Sequence, residues 1–127
     1  LSEGDPEAQQ YMKLIENLNE IRMFTSTNSQ VRNEMTKDVN AYLQKNSLDQ
    51  LMRVNESGKN IKFYSKPGKS DNHVRELFMY MEGEKDGKPI SVILSITGEI
   101  DLSQLSRLTS DLKVPGAEEL KNIENKS

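Results

Sequence analysis

His73 is the only histidine of the chain, and Asp71 stands two residues before it. An imidazole near a carboxylate is the pairing that general acid–base catalysis uses. Glu99 and Asp101 form a second candidate pair where a strand should meet a helix. Paired carboxylates can serve acid–base or glycosidic chemistry. Each pair also has a plainer reading: His73 fits a solvated loop, and Asp101 fits a helix cap. The run Lys66–Ser70 (KPGKS) has the look of a phosphate loop, but it lacks the glycine spacing before Lys-Ser and no helix follows. Its residues are ordinary turn formers. The serines, Ser26, Ser29 and Ser70 among them, lack the glycine elbow of a hydrolase nucleophile. One histidine and no cysteine leave nothing for a nitrogen- or thiolate-rich metal site. Asn55–Ser57 and Asn125–Ser127 match the glycosylation acceptor pattern, which is short enough to arise by chance. The residues assign no catalytic group, no cofactor and no metal.

The elements that would position these groups follow from periodicity. Pro6 suits the first turn of a helix, and Ala8, Tyr11, Met12, Ile15 and Leu18 continue at helical spacing. Ile21, Met23 and Thr25 alternate with Arg22 and Phe24, which reads as a short strand. Thr25–Ser29 is rich in helix-capping residues, and Val31, Met35, Val39, Tyr42 and Leu43 mark one face of a second helix ending near Asn46. Two hairpins come next. Ser57-Gly58 can turn the first, pairing Val54 with Ile61 and Met52 with Phe63, with Leu51 opposite Tyr64 and Arg53 opposite Lys62 on the other face. Asp86-Gly87 is the stronger turn signal. It pairs Met81 with Val92, Met79 with Leu94 and Leu77 with Ile96, all on one face. A slip of one residue would set apolar groups against serines. Gly98 should break the last strand. Asp101 and Gln104 have the spacing of a capping box for a helix striped by Leu102, Leu105, Leu108 and Leu112, ended by Pro115-Gly116. The one long loop is Ser65–His73.

This order predicts an α+β fold: a mainly antiparallel sheet of about five strands, two hairpins plus one strand, packed on helices that cover one face. With 127 residues there is room for one domain. Residues 1–17 read as a leader and helix, 18–114 as the α+β domain, and 115–127 as a charged tail, either one further helical turn around Leu120 and Ile123 or disordered. The net charge is −3 and the sequence pI about 5.3, which argues against nucleic acid as a partner. The longest apolar run, Ile90–Ile96, falls short of the roughly 20 residues that cross a membrane. The chain begins at Leu1 rather than a methionine, so the natural N-terminus is expected to have been removed, which leaves room for a signal peptide or a lipid-attachment cysteine upstream.

The hairpin register also defines an outer sheet face. Phe78, Tyr80 and Ile93 should lie there, with Tyr80 paired to Ile93, and Arg53 and Lys62 beside them. Apolar rings next to basic residues suit a contact with a protein partner or a second copy of the chain. Burial beneath the N-terminal helix around Tyr11 and Ile15 is the competing expectation.

Four segments carry a family resemblance: Leu18–Ser26 (LNEIRMFTS), Asn60–Ser65 (NIKFYS), Val74–Tyr80 (VRELFMY) and Val92–Leu102 (VILSITGEIDL). In these the chain resembles the small bacterial proteins grouped as domain-of-unknown-function family 4252, over roughly Leu18 to Leu112. The resemblance implies an exported protein of Gram-negative bacteria, facing the periplasm or anchored to the outer membrane through an upstream lipid. It transfers no catalytic residues. The leading expectation is a non-enzymatic binding or interaction module of the envelope. The alternatives are a small hydrolase or transferase using His73, Asp71 or the Glu99/Asp101 pair, and a homodimeric chaperone-like module.

Overall fold

A computed structural model describes residues 5–120. Helix α1 (Pro6–Glu16) starts on Asp5, whose carboxylate accepts the Glu7 N–H at 3.0 Å, with Pro6 in the first turn. It stops one residue before β1 (Leu18–Ser26), so Leu18 opens the strand rather than closing the helix. Asn28 caps α2 (Ser29–Lys45) by accepting the Val31 N–H at 3.0 Å. Strands β2 (Asp49–Glu56), β3 (Lys59–Pro67), β4 (His73–Lys85) and β5 (Lys88–Asp101) follow. A 3-10 turn (Leu102–Gln104), helix α3 (Leu105–Asp111) and a second 3-10 turn (Ala117–Leu120) complete the described chain.

The five strands form one antiparallel sheet in the order β1-β5-β4-β3-β2. Both hairpin tips have the positive φ values of a type I′ turn: Ser57 and Gly58 at 51° and 76°, Asp86 and Gly87 at 54° and 79°. The β4–β5 register has the expected pairs, Met81 with Val92, Met79 with Leu94, Leu77 with Ile96 and Tyr80 with Ile93. The β2–β3 register pairs Met52 with Phe63 and Val54 with Ile61, but an irregularity between Gln50 and Met52 puts Gln50, not Leu51, opposite Tyr64. β3 and β4 run further than the sequence suggests, so the loop between them shrinks to residues 68–72.

Gly98 does not end β5. It holds φ 146° inside the strand, and a Cβ there would sit 2.4 Å from the Asn17 carbonyl oxygen. That close approach lets the α1–β1 junction lie on β5, where Asn17 accepts the Glu99 N–H. Asp101 caps the 3-10 turn through Ser103, at 2.9 Å to its N–H, and α3 itself begins without a side-chain cap, so the capping box does not form.

Helices cover both faces of the sheet, not one. The larger core unites Leu77, Met79, Met81, Val92, Leu94 and Ile96 with Tyr11 and Leu14 of α1, Leu105 and Leu108 of α3, and Leu120. Leu112, expected in the α3 stripe, is exposed. Leu120 is fully buried, so the chain after Pro115 re-enters the core, while Ile123 and the Asn125–Ser127 pattern lie outside the described residues. Arg107 sets its guanidinium 3.9 Å from the Tyr11 ring centre, and the Tyr11 hydroxyl donates to Asp111, which ties α1 to α3. The opposite face is covered by α2: Val39 packs on Phe78 and Tyr80, with Tyr42, Leu43, Leu48, Tyr64 and Ile93 around them.

Leu94 is 2% exposed at the centre of the larger core. Leu94→Ala should lower unfolding stability by about 2–5 kcal/mol, as measured by urea denaturation. A loss below about 0.5 kcal/mol, the range of ordinary surface changes, would contradict this packing.

Candidate functional site

Cross-strand pairing puts Arg53, Lys62, Tyr80 and Ile93 in one row across the outer face, and the row ends on Phe24 of β1. The surface expected there from the sequence is therefore one geometric unit, but α2 lies across its middle. Tyr80 and Phe78 are buried, and the Tyr80 hydroxyl meets Thr36 Oγ1 at 2.8 Å. Their rings are intramolecular core, and the cover is α2 rather than the helix around Tyr11. Arg53 remains exposed at the β2 end and Lys62 half-buried beside it. Ile93 is half-buried at the other end.

At that other end the cover is incomplete. A groove of about 340 Å³ runs between α2 and the β1–β5 pair. Phe78 and Ile93 form its floor, Val31, Met35 and Val39 its helical wall, and Phe24 its outer wall. Phe24 is 66% exposed and Val31 42% exposed, although both are large apolar residues beside an apolar floor. Arg22, Tyr42 and Ser95 place polar groups at the end nearest the α2 C-terminus, and Asp38 adds a carboxylate on the helical wall.

Behind that polar end lies Glu76, a buried carboxylate that no sequence motif marks. The Tyr42 hydroxyl donates to it at 2.8 Å from both oxygens, and the Ser95 hydroxyl at 2.7 Å from Oε2. A buried carboxylate is tolerated where donors surround it. Tyr42 also stacks on Phe78 with ring centres 5.2 Å apart. One side chain thus seats α2 on the sheet, satisfies Glu76 and closes the groove. Arg22, ion-paired with Glu20 on the same strand, adds positive charge nearby. The signal available in the sequence was parity: Glu76 shares the outer face with Phe78 and Tyr80, opposite an amphipathic helix that contains Tyr42.

The residues with catalytic potential gather elsewhere. His73, Glu99 and Asp101 line a polar cleft of about 190 Å³ with Lys13, Lys69 and Gln104. His73 opposes Asp101 across β4–β5, and its Nδ1 lies 2.8 Å from Ser70 Oγ. Asp71 is exposed in the loop. Asp101 Oδ1 is engaged by both the N–H and the hydroxyl of Ser103, and Glu99 Oε2 is buried without a hydrogen-bond partner. The Lys66–Ser70 run leads into β4 rather than a helix, and the Gly68 N–H is taken by the His73 carbonyl at 3.0 Å. The pattern at Asn55–Ser57 lies on the first hairpin tip. Among the described residues there is no group of three or more His, Asp or Glu arranged to hold a metal, and no helix is long and apolar enough to cross a membrane.

Sheet, two-sided helical cover and groove define a small α+β domain with one face left open beside an edge strand. The chain belongs to the family of the domain of unknown function DUF4252, whose model matches residues 1–108. No curated protein and no solved structure matches it.

Burial first, and then the hydrogen bond to Glu76, push the Tyr42 phenol up to about 12; burial and Asp111 do the same to Tyr11. A phenol that holds its proton more tightly folded than unfolded stabilises the fold fully below its unfolded pKa of about 10, and that contribution disappears as pH rises through the folded value. Stability should therefore fall between about pH 10 and 12. In urea titrations across that range the midpoint should drop more steeply for the wild type than for Tyr11→Phe/Tyr42→Phe. Equal slopes would remove both tyrosines from the linkage.

Proposed function

We propose that this domain is a non-enzymatic binding module that takes an apolar ligand of small-molecule size into the groove between α2 and β1. The observation that carries the reading is Phe24, 66% exposed above a floor of Ile93 and Phe78 in a cavity of about 340 Å³. Ligand sites are concave, mainly apolar and supplied with a few polar groups that fix orientation. Here Arg22, Tyr42 and Ser95 are those groups. The floor is preformed, because Tyr42 and Phe78 are held by stacking and by Glu76 before any ligand arrives.

The hydrolase or transferase reading draws on the polar cleft of His73, Glu99 and Asp101. It is weaker, because Asp101 is committed to its cap and the Ser70–His73 contact is exposed rather than enclosed in a pocket. Residence in the cell envelope, with a lipid anchor upstream, is proposed from the family resemblance alone. Fractionating cells that express the full-length gene should place the protein in the membrane or periplasmic fraction, and recovery solely from the cytosol would reject that placement.

Titration with the dye 1-anilinonaphthalene-8-sulfonate tests the groove. The wild type should bind it saturably while folded. Phe24→Ser and Val31→Ser should each weaken binding about tenfold, the effect of losing one apolar side chain from a contact, with thermal stability unchanged. Absence of saturable binding, or binding that both variants leave intact, would refute the groove as the site.

A further inference from the structure

β1 is an edge strand: it pairs with β5 on one side, and its other edge meets no strand among the described residues. Exposed edges with apolar side chains invite pairing with another strand, and proteins usually blunt them. β1 instead shows Ile21 at 46% and Met23 at 53% exposure on the α1 side, and Phe24 on the α2 side. On the α1 layer, Met12 and Ile15 are exposed as well.

The charges on β1 choose the occupant. Glu20 and Arg22 lie two residues apart on one face and form an ion pair there. Consider two copies of β1 side by side, antiparallel, about a two-fold axis normal to the sheet, so that each face is kept. Paired residues must then share parity, and the axis must pass through a residue facing its own copy. Centred on Arg22, the arrangement sets Arg22 against Arg22. Centred on Met23, it leaves Glu20 opposite Ser26. Centred on Ile21, it sets Glu20 opposite Arg22 of the second copy, and Arg22 opposite its Glu20. Four charges then alternate around a square, while Ile21 meets Ile21 on the other face and Met23 reaches it diagonally.

We propose that β1 is a self-association edge, and that its occupant is β1 of a second copy in the register centred on Ile21. The pairing joins two five-stranded sheets into one of ten strands. It also brings the two grooves to the same face, so that Phe24 and Arg22 of each copy stand between the two α2 helices. The inference rests on the edge and its charges, not on the groove: a monomer could still bind dye, and a dimer could have an empty groove.

Light scattering and sedimentation equilibrium on the full chain should show a monomer–dimer equilibrium. Glu20→Arg and Arg22→Glu, made singly, place like charges together and should each raise the dissociation constant about tenfold. The double reversal Glu20→Arg/Arg22→Glu restores complementarity and should return it to within about threefold of the wild type. Circular dichroism identifies any variant that has unfolded. For a readout independent of affinity, Ile21→Cys should form an intermolecular disulfide under mild oxidation much faster than Met23→Cys. A wild-type chain that stays monomeric up to about 1 mM, the weak end of specific association, would overturn the proposal. So would a dimer that ignores both reversals, or one that cross-links preferentially through Met23→Cys.

Discussion

The β4–β5 hairpin constrains everything else in this molecule. A type I′ turn at Asp86-Gly87 fixes which residues of two long strands face each other, and strand geometry then sends alternate side chains to opposite faces. One face receives Leu77, Met79, Met81, Val92, Leu94 and Ile96; the other receives Glu76, Phe78, Tyr80, Ile93 and Ser95. Both sets are largely apolar, so neither face can be left to water. A sheet of this composition needs two helical layers, and the chain supplies α1 and α3 for one face and α2 for the other. Slipping the register by one residue would move Ser91 and Ser95 into the larger core and Leu94 out of it, a change no local adjustment could offset.

The two layers are fastened differently. On the larger face the contact is mostly apolar, with Arg107 and Asp111 gripping Tyr11 at its margin. On the α2 face the apolar set is smaller, and a polar interaction supplies orientation. Glu76 cannot be buried without donors, and Tyr42 and Ser95 provide them. Because hydrogen bonds are directional and apolar contacts are not, Glu76 fixes where along the sheet α2 sits. That position decides where the groove opens.

Much of this was legible in the sequence, and the misses have physical causes. The hairpin registers could be read because the turn signals and the alternating pattern agree independently. Parity puts Arg53, Lys62, Phe78, Tyr80 and Ile93 on one face, as the register has them, but Phe78 and Tyr80 are buried there while Arg53 stays exposed. The N-terminal helix is the cover the sequence suggests for Phe78 and Tyr80, and α2 supplies it instead. Periodicity shows that a helix has an apolar side but not which sheet face receives it. Gly98 reads as a breaker in isolation; it is a packing glycine whose missing Cβ admits Asn17, a partner 81 positions away in the chain. Leu120 looked like part of a charged tail because a single buried leucine in a short 3-10 turn has no period to reveal it. Parity puts Glu76 on the outer face but does not mark it as a site, because a buried carboxylate is defined by its donors, and Tyr42 and Ser95 come from distant elements.

The two edges of the sheet then receive opposite treatment, and simple dimensions show why either is exposed at all. A helix is about 10 Å across, while strands are spaced about 4.8 Å apart, so one helix covers two or three of five strands. On the outer face α2 sits over the centre and leaves both margins bare. The β2 margin is defended by the usual means: Arg53 and Lys62 face each other on its outer side, and the irregularity at Leu51 disturbs its pairing. The β1 margin carries its charges, Glu20 and Arg22, in a pattern that matches its own reverse, and it leaves Ile21, Met23 and Phe24 in water. Charges that merely deterred pairing would serve better with one sign. Arranged with alternating sign on an apolar strand, they discriminate between registers without forbidding association, and it is this difference between the two edges that the proposed self-pairing of β1 uses.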